Sequence, residues 1–274
     1  MAAGADDFVD IATFADVHHK QLQQIFPQHQ TTPSHDTLTR AFAMLDPTYL
    51  QTFQNQFNEL LNTNQGEKIK KILHIDGKTQ KGNGNNTQAP NHIVSVVDKQ
   101  GFFLTQELVD NKSNEITAIH KLLDSLNIKG HTLTSDAIGT QREIVVKIRQ
   151  RQANYVLALK ANQKTLYTDV SLCFADPAFL ATKTKYFKTT QKARGNMEQR
   201  EYWQSRDLSC LSTRDNWMDL KTIVMTKNTT TKPDGTTSVQ TRYFISSLPL
   251  DVKEIARVIR GHWLVDTVLP KGLF

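Results

Sequence analysis

Cysteine is scarce in this chain. Cys173 and Cys210 stand alone, with no C-x-x-C or Cys/His spacing around either, which argues against a zinc site and against a disulfide framework. Both are expected to be reduced, partly buried thiols. Long apolar runs are missing too: no stretch approaches the roughly 20 apolar residues that a membrane span needs. The opening MAAGADDFVDIATFADVHHK has early acids and neither a basic n-region nor an apolar h-region, so it does not read as a secretory signal. The expectation is no membrane association and a cytoplasmic location.

A third absence is sharper. KILHIDGKTQKGN, residues 70–82, contains Gly77-Lys78-Thr79, the last three letters of the phosphate-cradling pattern G-x-x-x-x-G-K-[ST]. The first glycine of that pattern would fall at position 72, which is Ile72, inside the apolar run. No nest of backbone N–H groups can form around a phosphate there. The nucleotide-binding reading falls, and the remaining feature is the acid, Asp76.

What is present is an ordinary globular composition, 38% hydrophobic and 22% charged over 274 residues, enough for a core without staples. Net charge is +6 and the pI near 9.2, which favours a polyanionic partner. Basic residues concentrate in KGNGNNTQAPNH, KIRQRQANYVLALKANQK and KTKYFKTTQKARGNMEQR, a pattern that suits phosphate contact along an extended face.

Residues 8–62 carry apolar residues at three- and four-residue spacing, with Ser34 or Asp36 able to cap a segment after Pro33, so 1–68 is predicted as a helical N-terminal region. From 71 the texture changes to short β-rich runs, KILHID, HIVSVVD and GFFLTQELVD, predicted as a three-stranded meander. NEITAIHKLLDSL (helix), HTLTSDA (strand), TQREIVVKIRQRQ (helix) and NYVLALK (strand) follow, and strands alternating with helices imply parallel pairing. The order βββαβαβ is that of a ribonuclease-H-like α/β fold with a mixed sheet. The catalytic domain would span 69–274. A helix, NQKTLYTDVSLCFAD, leads to a β-rich insertion at about 180–247, containing QREYWQSRD, LKTIVMTKN and TRYFISSL, before a last amphipathic helix, DVKEIARVIRGHWLVD.

In that order the first and fourth strands are neighbours, so Asp76 and Asp136, predicted at their ends with glycine close behind, emerge side by side. Singly, each reads as a turn former; as a pair their repulsion calls for a cation. Mg²⁺ is held through one or two carboxylates with waters and substrate phosphate, and two such ions about 4 Å apart support phosphodiester cleavage. Asp266 and Glu254 lie on the helix that would supply a third acid. His74 and His92 read as half-buried strand residues without a role, and His262 is assigned none. Trp263 reads as core packing. Lys160, Asn162 and Gln163 follow a strand end beside the site, where phosphate or base contact is plausible.

The phrases HIDGKTQKG, NHIVSVVD, LVDNKSNEITAIHKLLDSLNIKG, TSDAIGTQREI, NYVLALKANQ, YFISSL and IRGHW resemble the H-repeat-associated (ISAs-type) branch of bacterial insertion-sequence transposases of the DDE class. PSHDTLTRAFAMLDP resembles the helical region preceding the catalytic domain in that family. The resemblance implies that Asp76 and Asp136 are the first two catalytic acids and bind Mg²⁺ or Mn²⁺. It implies a third acid in a motif of the form H-W-x-I-E-N, where this chain reads His262-Trp263-Leu264-Val265-Asp266-Thr267; Asp266 stands in the glutamate's place. It further implies cleavage and joining of double-stranded DNA at terminal inverted repeats and target sites, by copies assembled on DNA. Lys78, Lys160 and Gln163, from their places beside the site, and Arg194, in a family phrase, are the candidate DNA contacts.

Two departures shape the expectation. The aspartate is shorter than the glutamate by about 1.5 Å of reach, where metal sites tolerate about half an ångström of misplacement. Relatives continue past the motif, whereas this chain reads LPKGLF and ends, and a family phrase close to H-G-R-x-E appears as Arg194-Gly195-Asn196-Met197-Glu198. An impaired transposase, C-terminally truncated, is expected. The alternatives are an inactive DNA-binding remnant of the same ancestry and, by fold analogy alone, a ribonuclease-H-like nuclease.

Overall fold

A computed structural model of the chain describes residues 7–28, 30–46, 49, 52–53, 56, 72–79, 92–98, 103–109, 115–193 and 195–268. The side chains of 78, 79, 103 and 263–268 fall outside that description. Residues 1–68 and 69–268 belong to separate compact units. The first contains α1 (Phe8–Val17), α2 (His19–Ile25) and α3 (His35–Met44). Asp7 and Ser34 cap α1 and α3 by accepting the N–H groups of Asp10 and Thr37, the Asx and Ser geometry that satisfies a first-turn donor. Phe8 and Phe42 meet at a ring-centroid distance of 5.2 Å. Most of the helix predicted beyond Leu45 lies outside the described residues.

The second unit is built on a nine-stranded mixed sheet in the order β3-β2-β1-β4-β5-β9-β8-β7-β6. Its strands are β1 (Ile72–Thr79), β2 (His92–Asp98), β3 (Phe103–Val109), β4 (Thr132–Ser135), β5 (Asn154–Leu159), β6 (Lys185–Ala193), β7 (Asn196–Ser205), β8 (Thr222–Thr231) and β9 (Thr237–Ser246). β1, β4 and β5 run parallel and the remaining neighbours antiparallel. The helices are α4 (Glu115–Ser125), α5 (Arg142–Gln150), α6 (Lys164–Ala175), α7 (Pro177–Lys183) and α8 (Val252–Val268).

Side chains alternate across a strand, and the two faces have separate cores. On one, Leu73, Ile75, Leu133, Tyr155 and Leu157 pack with Leu122 of α4, Ile144 of α5 and Val170 of α6. On the other, Ile72, Val156, Val224 and Phe244 pack with Ile255, Val258 and Ile259 of α8. The buried residues of α4 and α5 recur at three- and four-residue steps, the stripe that lets a helix lie on a sheet.

β9 pairs with β5, so the β-rich strands β6–β9 extend the same sheet. The edge strand β6, KYFKTTQKA, has one face half-buried and the other exposed. One expectation changes. Cys173 and Cys210 are not free thiols but are joined in a disulfide, with Cα atoms 6.3 Å apart. Cys173 is buried on α6, and only the tertiary fold brings the 206–211 segment over it.

Candidate active site

Ile72, His74 and Asp76 share the α8 face of β1, and Thr134 shares it on β4. The parallel register of β1 with β4 runs Ile72↔Thr132 to Ile75↔Ser135, so Asp76 and Asp136 are the next residues of two neighbouring strands. Adjacent strands lie about 4.8 Å apart. The two carboxylates are therefore delivered side by side, where the parallel pairing stops.

β1 itself does not stop there, contrary to the sequence reading. It continues to Thr79, paired with β2 through Thr79↔His92, so Gly77 is a strand residue and not a turn. Its small size answers a close approach: a Cβ there would lie 3.1 Å from His92 Nε2 and 3.3 Å from the Glu115 carboxylate. His92 Nε2 and the Glu115 carboxylate are in buried contact at that point. The sequence does not mark this pair, since one partner starts β2 and the other starts α4.

His74, expected to be half-buried, is fully enclosed. Its Nδ1 lies 2.6 Å from the Thr134 hydroxyl, which lies 2.9 Å from Nδ1 of His262 on α8. One hydroxyl can donate only once, so at least one histidine donates to it through Nδ1–H. His74 Nε2 has no hydrogen-bond partner among the described residues, and a buried orphan N–H is the rarer kind of defect. Assigned from that network, His74 donates from Nδ1, Thr134 donates to His262 Nδ1, and His262 carries its proton on Nε2.

Burial, and then the neighbouring His262, push the His74 pKa down to about 3. Burial also lowers that of His262, while Asp76 and Asp136 pull it up and Arg242 pushes it down. His262 thus senses both acids. Gly261 lets α8 come this close, since a Cβ there would sit 3.2 Å from the His74 ring.

The loop after β4 is pinned. Asp136 accepts the Ile138 N–H at 3.0 Å, and the Thr140 hydroxyl donates to the Ala158 carbonyl at 2.6 Å. Asn162 and Gln163 donate their side-chain amides to the Ala137 and Thr140 carbonyls, at 2.6 and 3.0 Å. The structure thus gives Gln163 a place in bracing the Asp136 loop. Lys160 is exposed at the start of the 161–163 turn.

Asp266 lies on α8, one helical turn beyond His262; its side chain, those of Lys78 and Trp263, and all of Arg194 are outside the described residues. Glu254 bonds Arg257 in the first turn of α8 at 2.6 and 2.7 Å, about 12 Å of helix away from His262. Among the described residues, no group of three or more His, Cys, Asp or Glu converges as a metal site. Asp76 and Asp136 supply two carboxylates.

Residues 1–58 match the family model described as "DDE_Tnp_1-associated". The chain is 31% identical over 254 residues to "Uncharacterized protein in dhlA 3'region" of Xanthobacter autotrophicus, covering 92% of this chain and 84% of that one. It is 31% identical over 273 residues to "Putative transposase YncI" of Escherichia coli O157:H7, covering 97% and 69%. With "H repeat-associated putative transposase YhhI" of Escherichia coli K12 it shares 27% identity over 281 residues, covering 98% and 72%. The model described as "Transposase DDE domain" matches residues 40–268. That match runs through every strand and helix from which the two aspartates and His262 are presented, and the chain belongs to the transposase DDE domain family.

Proposed function

We propose that the protein is an insertion-sequence transposase that cleaves and joins DNA strands at Asp76, Asp136 and Asp266, on a ribonuclease-H-like core of β1–β5 with α4 and α5. The strand order β3-β2-β1-β4-β5, with β1, β4 and β5 parallel, supports the fold reading. The observation that carries the function is the β1–β4 register, which makes Asp76 and Asp136 neighbours.

Two adjacent carboxylates suit a hard divalent cation, whose shell is completed by water and substrate phosphate. Asp76 and Asp136 fit Mg²⁺ or Mn²⁺ and would hold it, with Asp266 as third acid. Bound there, the ion supplies Lewis-acid polarisation of the phosphodiester. The chain's own residues position and shield. The 136–140 loop, tied to Ala158, Asn162 and Gln163, keeps Asp136 at its post. The His262 Nε2–H is available to a carboxylate or phosphate oxygen. Lys78, Lys160 and Arg194 contact DNA phosphates, and copies of the chain assemble on inverted-repeat DNA.

The test is strand cleavage by the full chain, with Mn²⁺, of a duplex carrying the inverted repeats that flank its gene. Cleavage that disappears in Asp76→Ala and Asp136→Ala supports the reading. No cleavage by the native chain, or cleavage that survives either change, overturns it.

A further inference from the structure

The strands β6–β9 do more than widen the sheet. β9 runs antiparallel to β5, and their pairing ends at Leu159↔Tyr243, the edge where β1 and β4 deliver Asp76 and Asp136. Earlier residues of β9 therefore project beyond that edge, and β8, β7 and β6 project with them. By alternation, the α8 side of this projection carries Arg242, then Arg200 in line with Asn228 and Gln240. A groove of about 680 Å³ lies there, closed on one side by Ile259 and Arg260 of α8.

The charges in the groove are held in place. Arg260 donates to Gln191 at 2.7 Å, Gln191 donates to Glu198 at 2.9 Å, and Arg200 pairs with the same carboxylate. Two guanidiniums, those of Arg200 and Arg260, face one carboxylate, and Arg242 donates to Gln240 at 3.1 Å. Among the described residues, Arg200 Nη1 and the hydroxyls of Thr189 and Thr226 are buried without a hydrogen-bond partner, and such unsatisfied polar groups call for an explanation. Arg242 is the first residue of β9 past the Leu159↔Tyr243 end of its pairing with β5, so groove and acid pair share an end.

Guanidinium, amide and hydroxyl groups line the groove beside the Glu198 carboxylate and the apolar side chains of Ala193, Val239 and Ile259, and Tyr202 is buried in the floor. Those polar groups are donors that phosphate and sugar oxygens take, and the volume is that of a small-ligand pocket, the size of a short stretch of one strand. We infer that this groove is a track for one single DNA strand, gripping its phosphodiester backbone through Arg200, Arg242 and Arg260 and leading it to the acid pair. The inference rests on the transposase reading for its substrate class.

The experiment is fluorescence anisotropy of a mixed-sequence single-stranded oligonucleotide of about twelve nucleotides with the full chain in EDTA, from about 50 to about 300 mM NaCl. Arg242→Gln and Arg260→Gln should each weaken binding several-fold and lower the salt slope by about 0.7, the single-strand value per phosphate contact. Arg260→Lys should restore the slope. Lys129→Gln, an equal charge change away from the groove, should leave it as it is. An unchanged slope in both glutamine variants, an equal loss in Lys129→Gln, or no rescue by lysine overturns the track. Because EDTA removes metal-dependent chemistry, this binding readout is independent of cleavage. Intact groove binding beside absent cleavage would sink the catalytic reading alone, and the reverse result would sink the track alone.

Discussion

Thr134 on β4 and His262 on α8 are joined by a 2.9 Å hydrogen bond, and the same hydroxyl holds His74 at 2.6 Å. A single side chain two residues before Asp136 thereby fixes the helix that carries Asp266.

Thr134→Val keeps the shape and removes the bridge. It strands the buried His74 nitrogen, so it should destabilise the second unit by about 1–3 kcal/mol and slow strand cleavage more than it weakens DNA binding. Denaturant unfolding and a cleavage assay check this; equal loss of binding and cleavage would contradict the docking role.

His74 gives stability a pH dependence. With a folded pKa of about 3 against an ordinary 6.5, the unfolded chain takes up a proton that the folded ring refuses. The contribution is complete above about pH 6.5 and drains away as pH falls towards 3, by about 1.4 kcal/mol per unit in the middle of that window. Urea unfolding at pH 7 and pH 5, without metal, should show a loss of about 2 kcal/mol in the native chain and a smaller one in His74→Asn. Identical losses would remove His74 from the account.

The His92–Glu115 pair is a buried polar contact against Gly77. Glu115→Ala leaves a buried imidazole without its partner and should cost about 2 kcal/mol. Gly77→Ala should cost about 1 kcal/mol, because the new methyl meets atoms that have little room to yield. Thermal unfolding measures both, and a stabilised Gly77→Ala would show that the pair can move.

Asp266→Glu restores the reach of the family's motif. A ligand misplaced by more than about half an ångström weakens a metal site, so the longer acid should raise Mn²⁺-dependent cleavage about tenfold. A rate at or below that of the native chain would show that the aspartate is not what limits it.

Periodicity made much of the fold legible. HIVSVVD, NYVLALK and TQREIVVKIRQRQ declare their type by spacing alone, and their order makes Asp76 and Asp136 neighbours. Register and partner choice did not show. Nothing in TRYFISSL says that it pairs with β5, and the polar β6 has no apolar alternation to find. His74, Thr134 and His262 lie up to 188 positions apart, and only the fold creates their contact. The Cys173–Cys210 bond escaped detection for the same reason.

The ladder from Val156↔Ser246 to Leu159↔Tyr243 joins the acid-bearing strands to the four that project past them, with no loop in the sheet between. A substrate gripped along the projecting strands is thereby held on the same continuous hydrogen-bonded sheet that presents the acids.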